Sequence, residues 1–244
     1  MEMIENGSLR DFVVRARNWG YPIPNRLLLR FFMCLVQFCI AMAWPPKGRR
    51  GARPRRERIP GNEEERNRKY QMRHNDMHLR NILIGDIDPN DGRHDDVPIL
   101  KLIDFDRAQL FADPEGQDLG VKWNIFEIGT IMRSLITQNL PLPPNPLDVV
   151  ITLEDGTQRT INSYGGDINT VGYPNLDPEL GMIVIQCMTT TVEQVPNLED
   201  LYETIRNLNA TRTGAYYQNY PRWQHETNDA MKRIVQALIM DADN

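Results

Sequence analysis

The sequence predicts a mainly α-helical protein with one small β element near its middle, and three observations support this fold class. Apolar residues recur at helical spacing in most segments that are long enough to form a helix. Two short β-type runs, NILIG at 81–85 and PILKLIDF at 98–105, flank a polar stretch whose Asp, Gly and Pro residues are typical of a hairpin loop. With 244 residues, of which 41% are hydrophobic, the chain is long enough to bury one core.

The predicted helices follow from caps, helix breakers and apolar spacing. Ser8 is an N-cap residue for a helix that runs to about Asn18 and ends at Gly20. Asn25 precedes RLLLRFFMCLVQFCIAMAW, which is apolar on nearly every face and therefore predicts a central buried helix to about Trp44. Four later segments show helical spacing, and they predict helices over 123–137, 177–190, 198–208 and 228–240.

Two further patterns lie in the second half of the chain. Residues 147–163 predict a small hairpin that turns at Asp155 and Gly156. The last helix pattern places five apolar residues on one stripe, namely Met231, Ile234, Val235, Leu238 and Ile239. We expect this stripe to pack against the body of the protein, and the alternative is a helix that binds a partner.

Charge, hydropathy and cysteine usage exclude several classes of protein. The chain carries 28 Lys and Arg against 33 Asp and Glu, a net charge of −5 that is ordinary for a soluble protein without a specific nucleic-acid signature. It has no uninterrupted run of about 18 apolar residues, so it predicts no membrane span. Its first residues lack the basic and apolar regions of a signal peptide. The three cysteines, Cys34, Cys39 and Cys187, predict buried thiols in a reducing compartment. We therefore expect an intracellular protein, cytoplasmic or nuclear.

One segment departs from this charge balance. Residues 45–73 hold 11 Lys or Arg against 4 Glu, a net charge of +7, and they are rich in Pro and Gly and nearly free of aliphatic side chains. Such a segment buries too little to order itself, so we expect a flexible (disordered) basic insertion over about 45–72. It is either a solvated loop or a segment that carries a nuclear-localisation signal or contacts an anionic partner.

Five short motifs follow one another along residues 1–208. They are MEMIENGSLRDF at 1–12, HNDMHLRN at 74–81, KLIDFDRA at 101–108, NIFEIGTIM at 124–132 and CMTTTVEQVPN at 187–197. In this order they resemble the C-terminal lobe of the protein kinase superfamily, of a divergent fungal type. The motifs would correspond to the hinge, the HRD catalytic loop, the DFG segment, the Asp-x-Trp-Ser-x-Gly helix and the late helix pair ending in Arg-Pro. We interpret 1–208 as such a lobe, with the hinge at 1–7, and 209–244 as a C-terminal extension with an amphipathic helix.

The resemblance implies a reaction and roles for particular residues. It implies a helical C-lobe with a small β-hairpin that transfers a phosphoryl group from ATP to Ser or Thr of a protein. Phosphoryl transfer depends mainly on positioning and on charge neutralisation. Asp76 would accept the proton of the attacking hydroxyl, and Asn81 and Asp104 would bind Mg²⁺ through their oxygens. His78 would complete the catalytic set, at a position where many Ser/Thr kinases carry Lys.

The resemblance also implies a nucleotide site near the start of the chain. The backbone groups of Glu2 and Ile4 would face adenine, and Ser8 and Leu83 would add further cofactor contacts. A five-stranded N-terminal lobe with a Gly-rich loop, a strand Lys and a helix Glu would precede the hinge, and no segment of these residues resembles it. We therefore expect little or no kinase activity from this chain alone, or coding sequence that continues upstream of Met1.

Several positions depart from the family's pattern. Asn75 stands where many kinases carry an Arg that grips a phosphorylated activation loop, and residues 107–123 contain no Ser, Thr or Tyr. Val195 stands where a late Arg would pair with the Glu of an Ala-Pro-Glu motif that is also absent, so neither charge is left unpaired. Asp106 replaces the DFG glycine, and Asp tolerates a positive φ better than most residues. Asn124 replaces an Asp that accepts hydrogen bonds from the catalytic-loop backbone, which an amide does more weakly.

Three alternative interpretations accompany this one. In the first, the chain is a pseudokinase or interaction module whose helical lobe docks a partner protein. A second alternative is a small-molecule kinase, because the Asp-x-His-x-x-Asn spacing of Asp76, His78 and Asn81 is similar to that of aminoglycoside and choline kinases. In the third, Asp76 and Asn81 only cap local turns.

Overall fold

A computed structural model describes residue 4 and residues 6–20, 22–46, 57–113, 115–143, 145–152, 156–168 and 172–242. Helices account for about 49% of the chain and strands for about 11%, so the predicted mainly α class is confirmed. The α-helices in these ranges are α1 Leu9–Trp19, α2 Asn25–Ala43, α3 Glu63–Arg66, α4 Leu119–Thr137, α5 Pro178–Cys187, α6 Leu198–Thr211 and α7 Asn228–Val235. The strands are β1 Met72–Arg73, β2 Ile82–Ile84, β3 Leu100–Leu102, β4 Gln109–Leu110, β5 Leu147–Thr152 and β6 Gln158–Ser163.

The central element is α2, which contacts α4 and α6 along its length. It is long and apolar enough to cross a membrane, the only such helix in the described part of the chain, and this corrects the expectation that no stretch of that kind exists. However, 78% of its apolar window is buried inside the protein, as expected for the core helix that the sequence predicts. The structure therefore gives no clear membrane span. Cys34, Cys39 and Cys187 are free, buried thiols, as predicted.

In the described residues, three two-stranded antiparallel sheets accompany the helices. The pair β2–β3 is the hairpin predicted around the polar 86–97 loop, with Leu83 opposite Lys101. The pair β5–β6 is the second predicted hairpin; its turn contains Gly156 at φ 82, whereas Asp155 lies outside the described residues. The pair β1–β4, in which Met72 lies opposite Leu110, was not predicted, because strands of two residues leave no periodic pattern.

The second half of the basic insertion is attached to the protein, which corrects the expectation of flexibility for that half. The Lys69 ammonium lies 2.6 Å from a carboxylate oxygen of Asp118 and 3.0 Å from one of Glu199, and its side chain is only 12% exposed. Burial disfavours the charge, but the two carboxylates outweigh it and raise the pKa of Lys69. The backbone N–H of Tyr70 donates to the carbonyl of Ala43 at the end of α2. Residues 47–56, where the basic charge is densest, lie outside the described residues.

The C-terminal residues pack against the rest of the protein in their described part, 209–242. The five residues of the predicted apolar stripe, from Met231 to Ile239, are all at most 7% exposed, which confirms that the stripe packs on the body. Tyr217 is fully buried, and its hydroxyl donates to Asp177 at 2.9 Å. The Glu226 carboxylate accepts hydrogen bonds from the backbone N–H and the side-chain amide of Asn25, at 2.7 and 2.9 Å. Glu226 thus binds the N-terminus of α2, although it lies 201 positions further along the chain.

The start of α4 approaches residue 71 so closely that only glycine fits at position 120. A Cβ at Gly120 would lie 2.6 Å from the carbonyl oxygen of Gln71, and the Gly120 N–H donates to the Gln71 side chain at 3.0 Å. We expect Gly120→Ala to lower the free energy of unfolding by about 1–3 kcal/mol in urea denaturation, because backbone atoms must move apart. Gly61→Ala is the control, since its Cβ meets no described atom within 4 Å. Equal effects of the two substitutions would contradict this account.

Candidate functional site

The loop at 74–81 is held in place by a residue of α4. The Asn124 side-chain oxygen accepts a hydrogen bond from the backbone N–H of His74 at 3.2 Å, as the resemblance implies for this position. The Asn124 side-chain nitrogen also donates to the carbonyl of Met72 at 2.8 Å. A carboxylate has no proton for this second bond. Asparagine is a weaker acceptor than a carboxylate, but it makes this additional hydrogen bond.

His74 connects the loop to the strand that follows the hairpin. Its imidazole is fully buried, lies 4.7 Å from the Phe105 ring, and has Nε2 3.0 Å from the carbonyl oxygen of Ile103. Burial lowers the pKa of His74, while the hydrogen bond to Ile103 and the carboxylates of Asp76 and Asp104 oppose that change. A neutral ring with the proton on Nε2 therefore donates to Ile103. Both carboxylates are near this ring.

Asn81 joins the two acidic segments through its side chain and its backbone. Its side-chain nitrogen donates to the carbonyl oxygen of Asp76 at 2.9 Å and lies 3.4 Å from Oδ2 of the same residue. Its carbonyl oxygen accepts from the N–H of Ile103 at 2.9 Å, and Asp104 is the next residue along the chain. The structure thus brings Asp76, Asn81 and Asp104 to one end of the β2–β3 hairpin.

Asp104 has an unusual backbone conformation for a non-glycine residue. Its φ of 64° and ψ of 68° lie in the left-handed region, and its side chain is exposed. Such a conformation costs about 1–3 kcal/mol and is found preferentially at functional sites. Asp106 is not among the described residues with positive φ; it lies in the 3₁₀ turn Phe105–Arg107. The expectation of a glycine-like position at Asp106 is therefore wrong, because the chain turns two residues earlier.

The carboxylate of Asp76 is flanked by two basic side chains. Nε2 of His78 lies 3.5 Å from Oδ1, and a guanidinium nitrogen of Arg107 lies 3.8 Å from the same oxygen. The Nδ1 atom of His78 accepts a hydrogen bond from the N–H of Arg80 at 3.2 Å, so the ring proton is on the nitrogen that faces Asp76. Arg107 was not expected at this site from the sequence, although it lies only three residues after Asp104. Asn75 holds that segment by donating to the carbonyl of Arg107 at 3.0 Å.

The predicted nucleotide contacts are only partly within the described residues. Glu2 lies outside them. Ile4 is half-buried, which by itself does not indicate a contact with adenine. Leu83 is half-buried on β2 and forms a β-bridge with Ser8, so the segment before α1 does lie beside the hairpin. The Ser8 hydroxyl donates to Asp11 at 2.6 Å and accepts from the Asp11 N–H in a capping box. Ser8 therefore has its predicted capping role, and its hydroxyl is not free for a cofactor.

The donor set at this end of the hairpin fits a hard cation that also binds phosphate. Because the Asn81 nitrogen donates to Asp76, the amide oxygen is the atom left to face a cation, together with the exposed carboxylate of Asp104. In the described ranges no group of three or more His, Cys, Asp or Glu side chains is arranged to hold a metal by itself. Two protein oxygens suit Mg²⁺, which usually retains water and takes phosphate oxygens as its remaining ligands.

Neither the scan against protein-family models nor the search of curated proteins finds a match to this chain.

Proposed function

We propose that Asp76, Asn81 and Asp104 form the catalytic and metal-binding half of an ATP-dependent phosphotransferase site of the protein kinase type, acting on Ser or Thr of a protein. The observation that supports the proposal best is the double connection of Asn81. Its side chain is bonded to Asp76 and its backbone to the residue before Asp104. The backbone bond extends the β2–β3 ladder by one residue pair beyond Ile82 and Leu102, and it thereby fixes the residue before Asp104 opposite Asn81.

The mechanism assigns a separate task to each side chain. The Asp76 carboxylate, 26% exposed, would orient an acceptor hydroxyl and take its proton. The Nε2–H of His78 would hold that carboxylate in position. Asn81 and Asp104 would hold Mg²⁺ through the oxygens identified above, and Mg²⁺ when bound supplies charge neutralisation to the transferred phosphoryl group. The Asp104 side chain makes no capping hydrogen bond to the 3₁₀ turn that follows it, so its carboxylate would be available to the cation.

One observation favours an interaction module as the second candidate. Exposed apolar side chains follow the site from residue 105 into the start of α4, namely Phe105, Leu110, Phe111, Leu119 and Trp123, each between 39% and 68% exposed. Exposed apolar residues in a contiguous segment are typical of a protein-docking surface. A docking module has no need of Mg²⁺ or ATP, so nucleotide binding separates the two candidates.

The test is a thermal-shift titration with Mg-ATP. Binding at about ten times Kd would stabilise the protein by about 1.4 kcal/mol, which corresponds to a rise in Tm of about 3–5 °C for a chain of this size. We expect Asp104→Asn to abolish the shift, because the carboxylate is the stronger of the two metal ligands. Binding is measured before turnover because no segment of this sequence resembles the Gly-rich loop or strand Lys of the family.

The matched control is Asp106→Asn, which removes the same charge from an exposed carboxylate two residues away. We expect Asp106→Asn to keep the Mg-ATP shift. No shift in the unmodified protein would reject the phosphotransferase and favour the docking module. Equal loss of the shift in both variants would show that general electrostatics, rather than a site at Asp104, hold the nucleotide.

A further inference from the structure

A cavity of about 450 Å³ opens next to the loop at 74–81, between this loop, α1 and α4. Three basic side chains, those of Arg10 on α1 and of His78 and Arg80 on the loop, line it together with an apolar wall of three leucines and one isoleucine. The cavity is large enough for one or two amino-acid side chains. No role in the mechanism above uses it, apart from the shared His78.

The charge of this cavity is opposite to that of the protein as a whole. The chain has a net charge of −5, yet no Asp or Glu of the part that the structure describes lines the cavity. Within the described residues, neither Arg10 nor Arg80 forms an ion pair or a side-chain hydrogen bond, and Arg80 is exposed. The nearest acid along α1, Asp11, is occupied by the Ser8 cap. Two guanidinium groups are thus available to an anion.

The hydroxyl groups of the cavity do not compete with the arginines as donors. The Thr130 hydroxyl donates to the carbonyl of Glu127 at 2.7 Å, and the Ser134 hydroxyl donates to the carbonyl of Thr130 at 2.9 Å. Both protons are therefore used within α4. The donors that remain for a ligand are the guanidinium N–H groups, which bind carboxylates with charge-assisted and often bidentate hydrogen bonds.

A single side chain, that of His78, separates the cavity from the candidate catalytic carboxylate of Asp76. His78 lines it, and Nε2 of the same ring lies 3.5 Å from Oδ1 of Asp76. A peptide whose hydroxyl reaches Asp76 would therefore bring a neighbouring side chain to Arg10 and Arg80. The apolar wall suits the methylene groups of Glu.

We propose that this cavity binds an acidic side chain of the protein substrate, so that the protein selects Ser or Thr flanked by Glu or Asp. The location of the acceptor hydroxyl rests on the proposed function of Asp76. Binding of the acidic peptide itself rests only on the cavity and its two arginines.

The test measures binding of a fluorescently labelled peptide with one Ser flanked by Glu, by fluorescence anisotropy, and compares it with the peptide in which Gln replaces each Glu. We expect the Glu peptide to bind more tightly, with an affinity that falls as salt is added. Arg10→Gln and Arg80→Gln should each weaken its binding about threefold to fivefold, the size expected for partly exposed ion pairs. Arg80→Lys should recover part of the loss, because it keeps the charge but not the planar fork.

The matched control is Arg58→Gln, which removes one exposed arginine from the basic insertion. The insertion is the other place where an acidic peptide would be attracted. Equal weakening by Arg58→Gln, or equal binding of the Glu and Gln peptides, would overturn the proposal. The unmodified protein separates this inference from the proposed function: tighter binding of the Glu peptide with no Mg-ATP shift supports the cavity alone, and a Mg-ATP shift with equal binding of the two peptides supports the metal site alone.

Discussion

Replacing Asp167 by alanine is expected to lower the free energy of unfolding by about 3–5 kcal/mol. The reason is Arg133 on α4, a guanidinium only 2% exposed whose Nε donates to Asp167 at 2.9 Å. Its Nη2 also contacts Asp167, and its Nη1 donates to the carbonyl of Pro141 at 2.9 Å. Without the carboxylate, a buried positive charge would have only carbonyl partners. Equilibrium denaturation in urea measures the loss.

The control for this prediction is Glu203→Ala, which breaks an exposed ion pair with Arg206. Both side chains of that pair are more than 60% exposed, so the expected change is below about 1 kcal/mol. The double variant Arg133→Met with Asp167→Ala should recover part of the loss, because it removes the unpaired buried charge. A loss after Asp167→Ala no larger than that after Glu203→Ala would contradict the assignment.

A second large effect is expected in the dependence of stability on pH. Glu127 lies on α4 with its side chain 16% exposed, and burial raises its pKa to about 7. The guanidinium of Arg73, 3.9 Å away, opposes this change, whereas the negative charge of Asp76 adds to it. Arg73 does not approach closely because its guanidinium lies over the Trp123 ring, 4.0 Å from the ring centre.

The sign follows from proton binding. Between the ordinary pKa of about 4.5 and the folded value of about 7, the folded protein binds more protons than the unfolded chain. Stability contributed by protonated Glu127 is therefore lost as the pH rises through this range, and no further change follows above it. Glu127→Gln mimics the protonated form, so it should stabilise the protein at pH 8 by up to about 3 kcal/mol and by little at pH 4.

Urea denaturation at a series of pH values measures this difference, with Glu203→Gln as the exposed control. We expect Glu203→Gln to change stability only by the amount of a surface ion pair at any pH. If Glu127→Gln destabilised the protein at pH 8, its ionised form would be a net stabilising partner of Arg73. That outcome would contradict the explanation that burial is the main cause of the raised pKa of Glu127.

The elements with long periodic patterns were predictable from the sequence. The core helix α2 and the apolar stripe ending at Ile239 were predicted because the spacing of many apolar residues indicates which face of each helix is buried. Elements that depend on a few distant partners were not. The contact of Glu226 with Asn25 joins residues 201 positions apart, and neither residue is unusual in its local sequence. Charge composition was also misleading at Lys69, because it does not reveal which cation of a basic segment finds acidic partners.

The candidate site was predictable to a similar extent. The five-residue spacing of Asp76 and Asn81 and the predicted hairpin were enough to expect Asn81 and Asp104 at one end of it, and the hydrogen bonds agree. The left-handed conformation of Asp104 was not expected. A positive φ was expected at Asp106 instead, because Asp106 replaces the DFG glycine. The cavity beside Arg10 was missed because its two arginines are 70 positions apart in the sequence.

The ion pairs of Lys69 have a consequence for how this chain tolerates change in length. Lys69, three residues before β1, forms ion pairs with Asp118 and with Glu199 on α6, while the N–H of Tyr70 is bonded to the end of α2. The two ends of the basic segment are therefore anchored independently of what connects them. An insertion between positions 46 and 57 that leaves these contacts in place is therefore expected to change the free energy of unfolding little, and such a variant could carry a tag or a fused domain.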